Sequence, residues 1–309
     1  MPSVGALFCL ASAAAFGAMG IFGKLAYDEG ATVGTLLATR FVLAAALLWL
    51  FVAVSGSARE VRTLPRRDVG IALGLGAILY SAQAGGYFAA LQRLDASLLS
   101  LILYTFPTMV TVAAILLGRE RANSRTALAL VLASTGLVFV LAGAGAGALD
   151  PIGTALGLAA AVVYSVYILT SEGVVARVGP LALSTLVCSG AAATLTVGGV
   201  VSGDLDLGGV SAAGFGWLAG ISVVSTVGAV GLFFAGLQRV GPTAASILST
   251  LEPVVTVALA FLVFGESLGP AQLAGGALVL LAVLAVRTPA HRRRARPILT
   301  TQKAEWQAH

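Results

Sequence analysis

Charge is scarce in this chain. Asp, Glu, Lys and Arg together make up 10% of its 309 residues, against about 25% in a typical soluble domain. That leaves too little polar surface to coat a globule in water. Histidine is scarcer still, because both copies, His291 and His309, stand near the C-terminus. No His–His or Cys–His metal site and no Ser-His-Asp triad can therefore be assembled from the long apolar part of the chain. The two cysteines, Cys9 and Cys188, fall inside apolar runs at no metal-ligand spacing and read as small core residues. A P-loop is missing as well, which excludes ATP-driven transport by this chain alone. Nothing in the sequence calls for a cofactor, a metal or a nucleic-acid partner.

What is present is apolar and small. Hydrophobic residues account for 58% and glycine for 38 positions, with a mean hydropathy of +0.99. Apolar runs of about 20 residues cross a hydrocarbon core of roughly 30 Å, and small residues let such helices pack closely in lipid. The chain reads as an all-α integral membrane protein, with the lipid bilayer as its solvent. The first run carries Ala11-Ser12-Ala13, similar to a signal-cleavage site. No basic residue precedes it, however, and it continues to Lys24, so it is expected to stay as the first span. Ten spans are expected, near 4–25, 31–55, 69–91, 95–117, 124–143, 153–171, 179–202, 212–236, 242–264 and 269–287. With the N-terminus inside, fifteen Lys and Arg residues fall on the cytoplasmic side and only Lys24 and Arg93 outside. The excess of cytoplasmic positive charge predicts ten transmembrane helices with both termini cytoplasmic. The basic tail, 288–309, lacks apolar periodicity and is expected to be disordered near anionic headgroups. Asp204 and Asp206 are too few ligands for a metal and read as a solvated outer loop.

One stretch occurs twice. Residues 87–120 and 233–266 align without a gap at an offset of 146, with ten identities in 34 positions, among them Gln92/Gln238, Arg93/Arg239, Pro107/Pro253 and Glu120/Glu266. A repeat of this length divides the chain into 1–145 and 146–287. Each half holds five spans, an odd number, so the second must enter the membrane from the opposite side. Two inverted five-helix repeats are a signature of secondary transporters that bind near the bilayer midplane.

Charges inside a bilayer are costly, so each is a candidate site. Glu252 lies mid-span, roughly 15 Å from either end, too deep to reach water along the helix. It is either protonated, hydrogen-bonded between helices, or facing water or a cation in a cavity. Ser246, Ser249, Glu252 and Thr256 follow helical spacing and form a polar stripe. Pro253 lacks an N–H and frees the carbonyl of Ser249 four residues back. Pro107 does the same in the first copy, with Tyr104 and Thr105 beside it and Phe106 in place of the glutamate. Arg40 sits roughly 10 Å into its span; it either extends its stem to the outer interface, pairs with Glu252, or grips a substrate carboxylate. Tyr80, Gln83 and Tyr87 recur at helical spacing, as do Tyr164, Tyr167 and Ser171. Gln83 and Tyr164 are the deepest, whereas Tyr87 reads as an interfacial belt residue. Ser222, Ser225 and Thr226 are weaker candidates, since hydroxyls bond their own helix. Gly17, Gly20 and Gly23 read as a packing face.

Five helices duplicated, Arg40-Phe41 on the second span, LQR before the fourth and ninth, a mid-helix FP or EP, and a closing GRE or GES together resemble the EamA family of the drug/metabolite transporter superfamily. The resemblance covers about residues 5–287. It implies a bacterial inner-membrane transporter of a small metabolite, often an exporter of amino acids or related compounds. It also implies a central cavity lined by spans 1, 3, 4, 6, 8 and 9, which leaves Arg40 outside the lining. Protonation of Glu252 would bias alternating access if its proton affinity differs between states, which makes H+ the candidate coupling ion. A sugar-phosphate or nucleotide-sugar exchanger would need several buried cations, and only Arg40 is available. A non-transporting membrane receptor is the alternative from another class. An intramembrane enzyme would need an acid–base or nucleophile–base pair, which one glutamate without His, Asp or Lys beside it does not supply.

Overall fold

A computed structural model describes residues 4–118, 124–143, 149–233, 235–236, 239, 248–249 and 251–286. The described residues are helical with short connections and contain no strand. Six helices are long and apolar enough to cross a membrane: α1 (Val4–Asp28), α2 (Val33–Val54), α4 (Arg66–Leu91), the Pro151–Ser171 part of α8 (Pro151–Val178), α9 (Pro180–Ser202) and α10 (Ala212–Phe233). The short α3 (Ala58–Arg62) lies between α2 and α4. Shorter apolar helices complete the bundle: α5 (Ala96–Leu103), α6 (Phe106–Leu116), α7 (Ser124–Gly143), α11 (Leu251–Phe264) and α12 (Pro270–Val286). Each falls within one of the expected apolar runs. The 95–117 run is divided at Tyr104-Thr105, just before Pro107, which occupies the first turn of α6, where its missing N–H costs nothing. The C-terminal tail, Glu120, Gln238 and Ser246 lie outside the described residues.

The helices pair across the midpoint of the chain in mated sets. α2 packs on α9 and α7 on α12, while α1 packs on α10 and α11 as α8 packs on α4, α5 and α6. Glycine makes these approaches possible. A Cβ on Gly76 would collide with the Val187 carbonyl, and one on Gly190 with the Leu73 carbonyl, so α4 and α9 touch backbone to backbone. Gly136 and Gly275 play the same part between α7 and α12. The outer rim is apolar, with Val54, Val201 and Leu262 at least 75% exposed. A water-soluble globule would have to bury such a rim, whereas in lipid it is the expected surface.

The two ends of the bundle are pinned by polar contacts. At one end lie Lys24, Arg93, Asp95, Asp150 and Glu266. The 203–211 loop also docks there. The Asp204 carboxylate accepts from Gly34 N at 2.6 Å, its carbonyl accepts from Thr32 Oγ1, and the Asp206 carboxylate accepts from the Gly208 and Gly209 amides. This loop is tied to the start of α2 through Asp204, while residues 206–209 stay exposed. At the opposite end Arg177 bridges to Asp68 at 2.9 Å, and Arg239 stacks on Phe8.

Candidate substrate pathway

The centre of the bundle is organised by a line of six aromatic rings. Phe41 meets Tyr80 edge-on at 5.4 Å between centroids, Tyr80 stacks on Tyr167 at 5.3 Å, and Tyr167 on Tyr164 at 6.2 Å. Tyr164 meets Phe106 at 4.6 Å, and Phe106 meets Tyr104 at 5.6 Å. These separations are those of favourable edge and offset contacts. The rings come from α2, α4, α8, α6 and the junction before α6, so the line crosses both halves of the chain.

Arg40 stands at one end of this line. It is 2% exposed; its Nε donates to Thr226 Oγ1 at 2.9 Å, and its guanidinium lies over the rings of Phe41 and Phe88. The Tyr80 hydroxyl faces it as well. It therefore neither reaches the interface nor pairs with Glu252. Among the described residues no ion pair reaches Arg40 or Glu252. Two π-helical turns, Leu75–Tyr80 and Val223–Gly228, converge on Arg40, one from each half. Such turns release backbone groups and recur at functional sites. Here Ser81 Oγ donates to Gly76 O, and Thr226 Oγ1 to Ile221 O five residues back. Thr226 thus hands the Arg40 hydrogen bond on to a carbonyl, a role its sequence context does not reveal.

Glu252 stands toward the other end. Pro253 frees the Ser249 carbonyl, and the Tyr104 hydroxyl donates to that oxygen at 2.5 Å. The same hydroxyl lies within reach of the Glu252 carboxylate. Glu252 is surrounded by protein, with Tyr87 and Tyr164 within electrostatic range, yet its side chain keeps partial exposure. Ser249, Tyr80, Tyr164, Tyr167 and Phe106 are likewise only half-buried. Facing α1 is interrupted for one residue at Ala18, beside Glu252: a Cβ on Gly17 would come within 2.8 Å of the Glu252 carbonyl. Thr256, expected on the polar stripe, is buried instead, its hydroxyl shared between the carbonyls of Gly17 and Glu252 at 2.9 and 3.1 Å.

Other expected residues sort plainly. Gln83 is buried on α4 and Pro253 on α11. Tyr87 is 3% exposed and packs on Phe88, with its hydroxyl 3.1 Å from where a Gly20 Cβ would sit, so it is an interior residue and not an interfacial one. Gly23 meets the Phe88 ring in the same way, so the glycine face of α1 packs as expected. Ser222 bonds its own helix at Leu218 O, but Ser225 crosses to Ala15 O of α1 at 2.6 Å.

A junction that sequence reasoning does not find closes the Lys24 end. Glu266 accepts from Lys24 Nζ at 2.7 Å, Ala96 N at 3.1 Å, Ser97 N at 3.0 Å and Ser97 Oγ at 2.8 Å. It therefore caps the start of α5 from the connection between α11 and α12, where the exposed amides and the helix dipole favour an anion. A cleft of about 720 Å³ opens at this junction, lined by Lys24, Tyr27, Arg93, Asp95 and Phe264 among others. The signal for Glu266 is its identity with Glu120 in the repeat.

A multi-pass helical bundle with an apolar rim is the form of a membrane protein, and the comparisons give its class. The model of the EamA-like transporter family matches twice, over residues 3–142 and 151–288. The chain belongs to that family, and so to the drug/metabolite transporter superfamily. It is 25% identical over 279 residues to the uncharacterized transporter YcbK of Bacillus subtilis, covering 88% of this chain and 89% of that one. An uncharacterized transporter of Archaeoglobus fulgidus is 29% identical over 222 residues, covering 71% and 78%. A solved crystal structure shares the fold with a TM-score of 0.64 at 19% identity, covering 93% of this chain and 97% of the other.

Proposed function

We propose that this protein is a secondary transporter that exports a small metabolite, an amino acid or a related compound, across a bacterial inner membrane by alternating access. The observation that carries the reading is the enclosed, partly exposed Glu252 on a proline-broken helix, with the aromatic line beside it. A carboxylate held at that depth is a natural point for H+ coupling. Ten spans as two inverted repeats, 1–145 and 146–287, with the 288–309 tail and both termini cytoplasmic, agree with the mated helix pairs. They agree also with Arg93 and Arg239 at opposite ends. In that orientation the Lys24–Glu266 junction closes the outer side. The sealed state of Arg40 speaks against sugar phosphates, whose charge would need several accessible cations.

The test compares wild type, Glu252→Gln and empty vector in a bacterial host by untargeted mass spectrometry of the medium. A metabolite that accumulates outside only with wild type is the expected result. Equal media from all three, with the protein folded in the membrane, would refute export of any host metabolite. Proton coupling is checked in proteoliposomes, where Glu252→Gln should abolish the dependence of flux on an imposed pH gradient.

A further inference from the structure

The interior carries a chemistry narrower than "small metabolite". Its two buried charges are not equivalent. Arg40 is 2% exposed, its Nε spent on Thr226 and its face covered by Phe41 and Phe88. It has nothing to offer a ligand without dismantling the contact between the two halves. Glu252 keeps partial exposure, with Tyr104 and Tyr164 near its carboxylate. The accessible fixed charge is therefore negative, and the walls next to it are the half-buried rings of Phe106, Tyr164, Tyr167 and Tyr80.

Aromatic faces attract cations through their quadrupole, most strongly where water is excluded. They also take flat apolar bodies by stacking. A carboxylate at one end of such walls adds a charge-assisted hydrogen bond to an ammonium. A carboxylate on the ligand would find the opposite: Glu252 repels it, and the guanidinium that would suit it is closed off. We propose that the transported molecule is an organic amine with a flat apolar body, its ammonium held at Glu252 and its body laid along the Phe106–Tyr164–Tyr167 rings. This rests on the transport reading and narrows it, among compounds related to amino acids, to the amines over the acids.

Three probes with one ring and different charges separate the possibilities: 2-phenylethylamine, phenylalanine and 3-phenylpropionate. Each is titrated by calorimetry into the full chain reconstituted in nanodiscs. The amine should bind at least about tenfold tighter than either of the others, which corresponds to one charge-assisted hydrogen bond. Glu252→Gln and Tyr164→Leu should each weaken it by about tenfold or more, while Glu252→Asp retains most of the affinity. Thermal melting of every variant checks the fold. Tighter binding of the amino acid or the acid, no binding of the amine, or amine binding unchanged in Glu252→Gln would each overturn the proposal. The transport reading fails on a different result: no difference among the media of wild type, Glu252→Gln and empty vector. Export of an acid that binds without Glu252 would keep transport and sink the amine.

Discussion

Removing the charge of Glu266 should unlatch the Lys24 end of the bundle. The carboxylate takes four hydrogen bonds, two on each oxygen: Lys24 Nζ and Ala96 N on one, Ser97 N and Ser97 Oγ on the other. Glu266→Gln keeps the shape but replaces one of those oxygens by an NH2, which meets donors with a donor. It also leaves Lys24 with Asp95 alone, at 3.5 Å. Hydrogen bonds to a charged group are worth about 1.5–3 kcal/mol each, and the four are coupled, so a conservative loss for the set is about 3 kcal/mol. That shifts a closed-to-open ratio by roughly a hundredfold. The assay is a pair of spin labels at Asp28→Cys and Ser267→Cys, both exposed positions flanking the junction, in a background with Cys9 and Cys188 replaced by alanine. Wild type should give one short distance, and Glu266→Gln a longer, dominant population. An unchanged distribution in the variant would refute the latch.

The pH dependence carries its own sign. Burial pushes the Glu266 carboxyl up, but the hydrogen bonds and charge of Lys24 and the donors of Ser97 outweigh it and hold the group below the usual carboxylate range. A depressed carboxylate stabilises the closed end fully above its ordinary pKa, about 4.3 for Glu. That stabilisation is lost as pH falls through the depressed value. The label distance should therefore stay flat from pH 8 to 6 and lengthen only well into the acid range.

Three further outcomes follow from single contacts. Tyr104→Phe removes the hydroxyl from the Ser249 carbonyl and should cost about 1–3 kcal/mol in thermal unfolding. The loss should shrink in a Pro253→Ala background, where the restored amide takes the same carbonyl. Gly190→Ala drives a methyl into the Leu73 carbonyl and should destabilise by about 1–3 kcal/mol or more. Gly85→Ala, with open space around it, should be neutral or raise the melting temperature. Arg40→Met and Thr226→Val should couple in a double-mutant cycle by about 0.5–3 kcal/mol, since the Nε–Oγ1 bond joins them directly.

Depth along each helix is legible in the sequence, and direction around it is not. Among the described residues the apolar runs place the helices, though α8 runs on to Val178, and the missing N–H of Pro253 marks the Ser249 carbonyl as lacking its helical donor. Its partner, Tyr104, lies 145 residues away, and no local pattern connects them. Arg40 and Tyr87 show the same division. The depth of each can be counted along its run, but depth alone does not say which way a side chain points. The sequence therefore allows Arg40 to extend outward and Tyr87 to sit at the interface, and packing turns both inward. Thr226 looks unpromising because a hydroxyl in a regular helix bonds its own backbone. The π turn that lets it reach back five residues and still accept from Arg40 depends on the partner helix.

The repeat explains why Glu266 is visible in the sequence and Lys24 is not. Glu266 has an identical mate, Glu120, at the offset of 146, whereas at the same offset Lys24 corresponds to Thr170. A symmetric pair of closures would have carried a lysine in each half. Only one half has it, so the carboxylate belongs to the shared plan and the cation to one end alone. An ion pair made in one conformation and not in another biases the equilibrium toward the conformation that makes it.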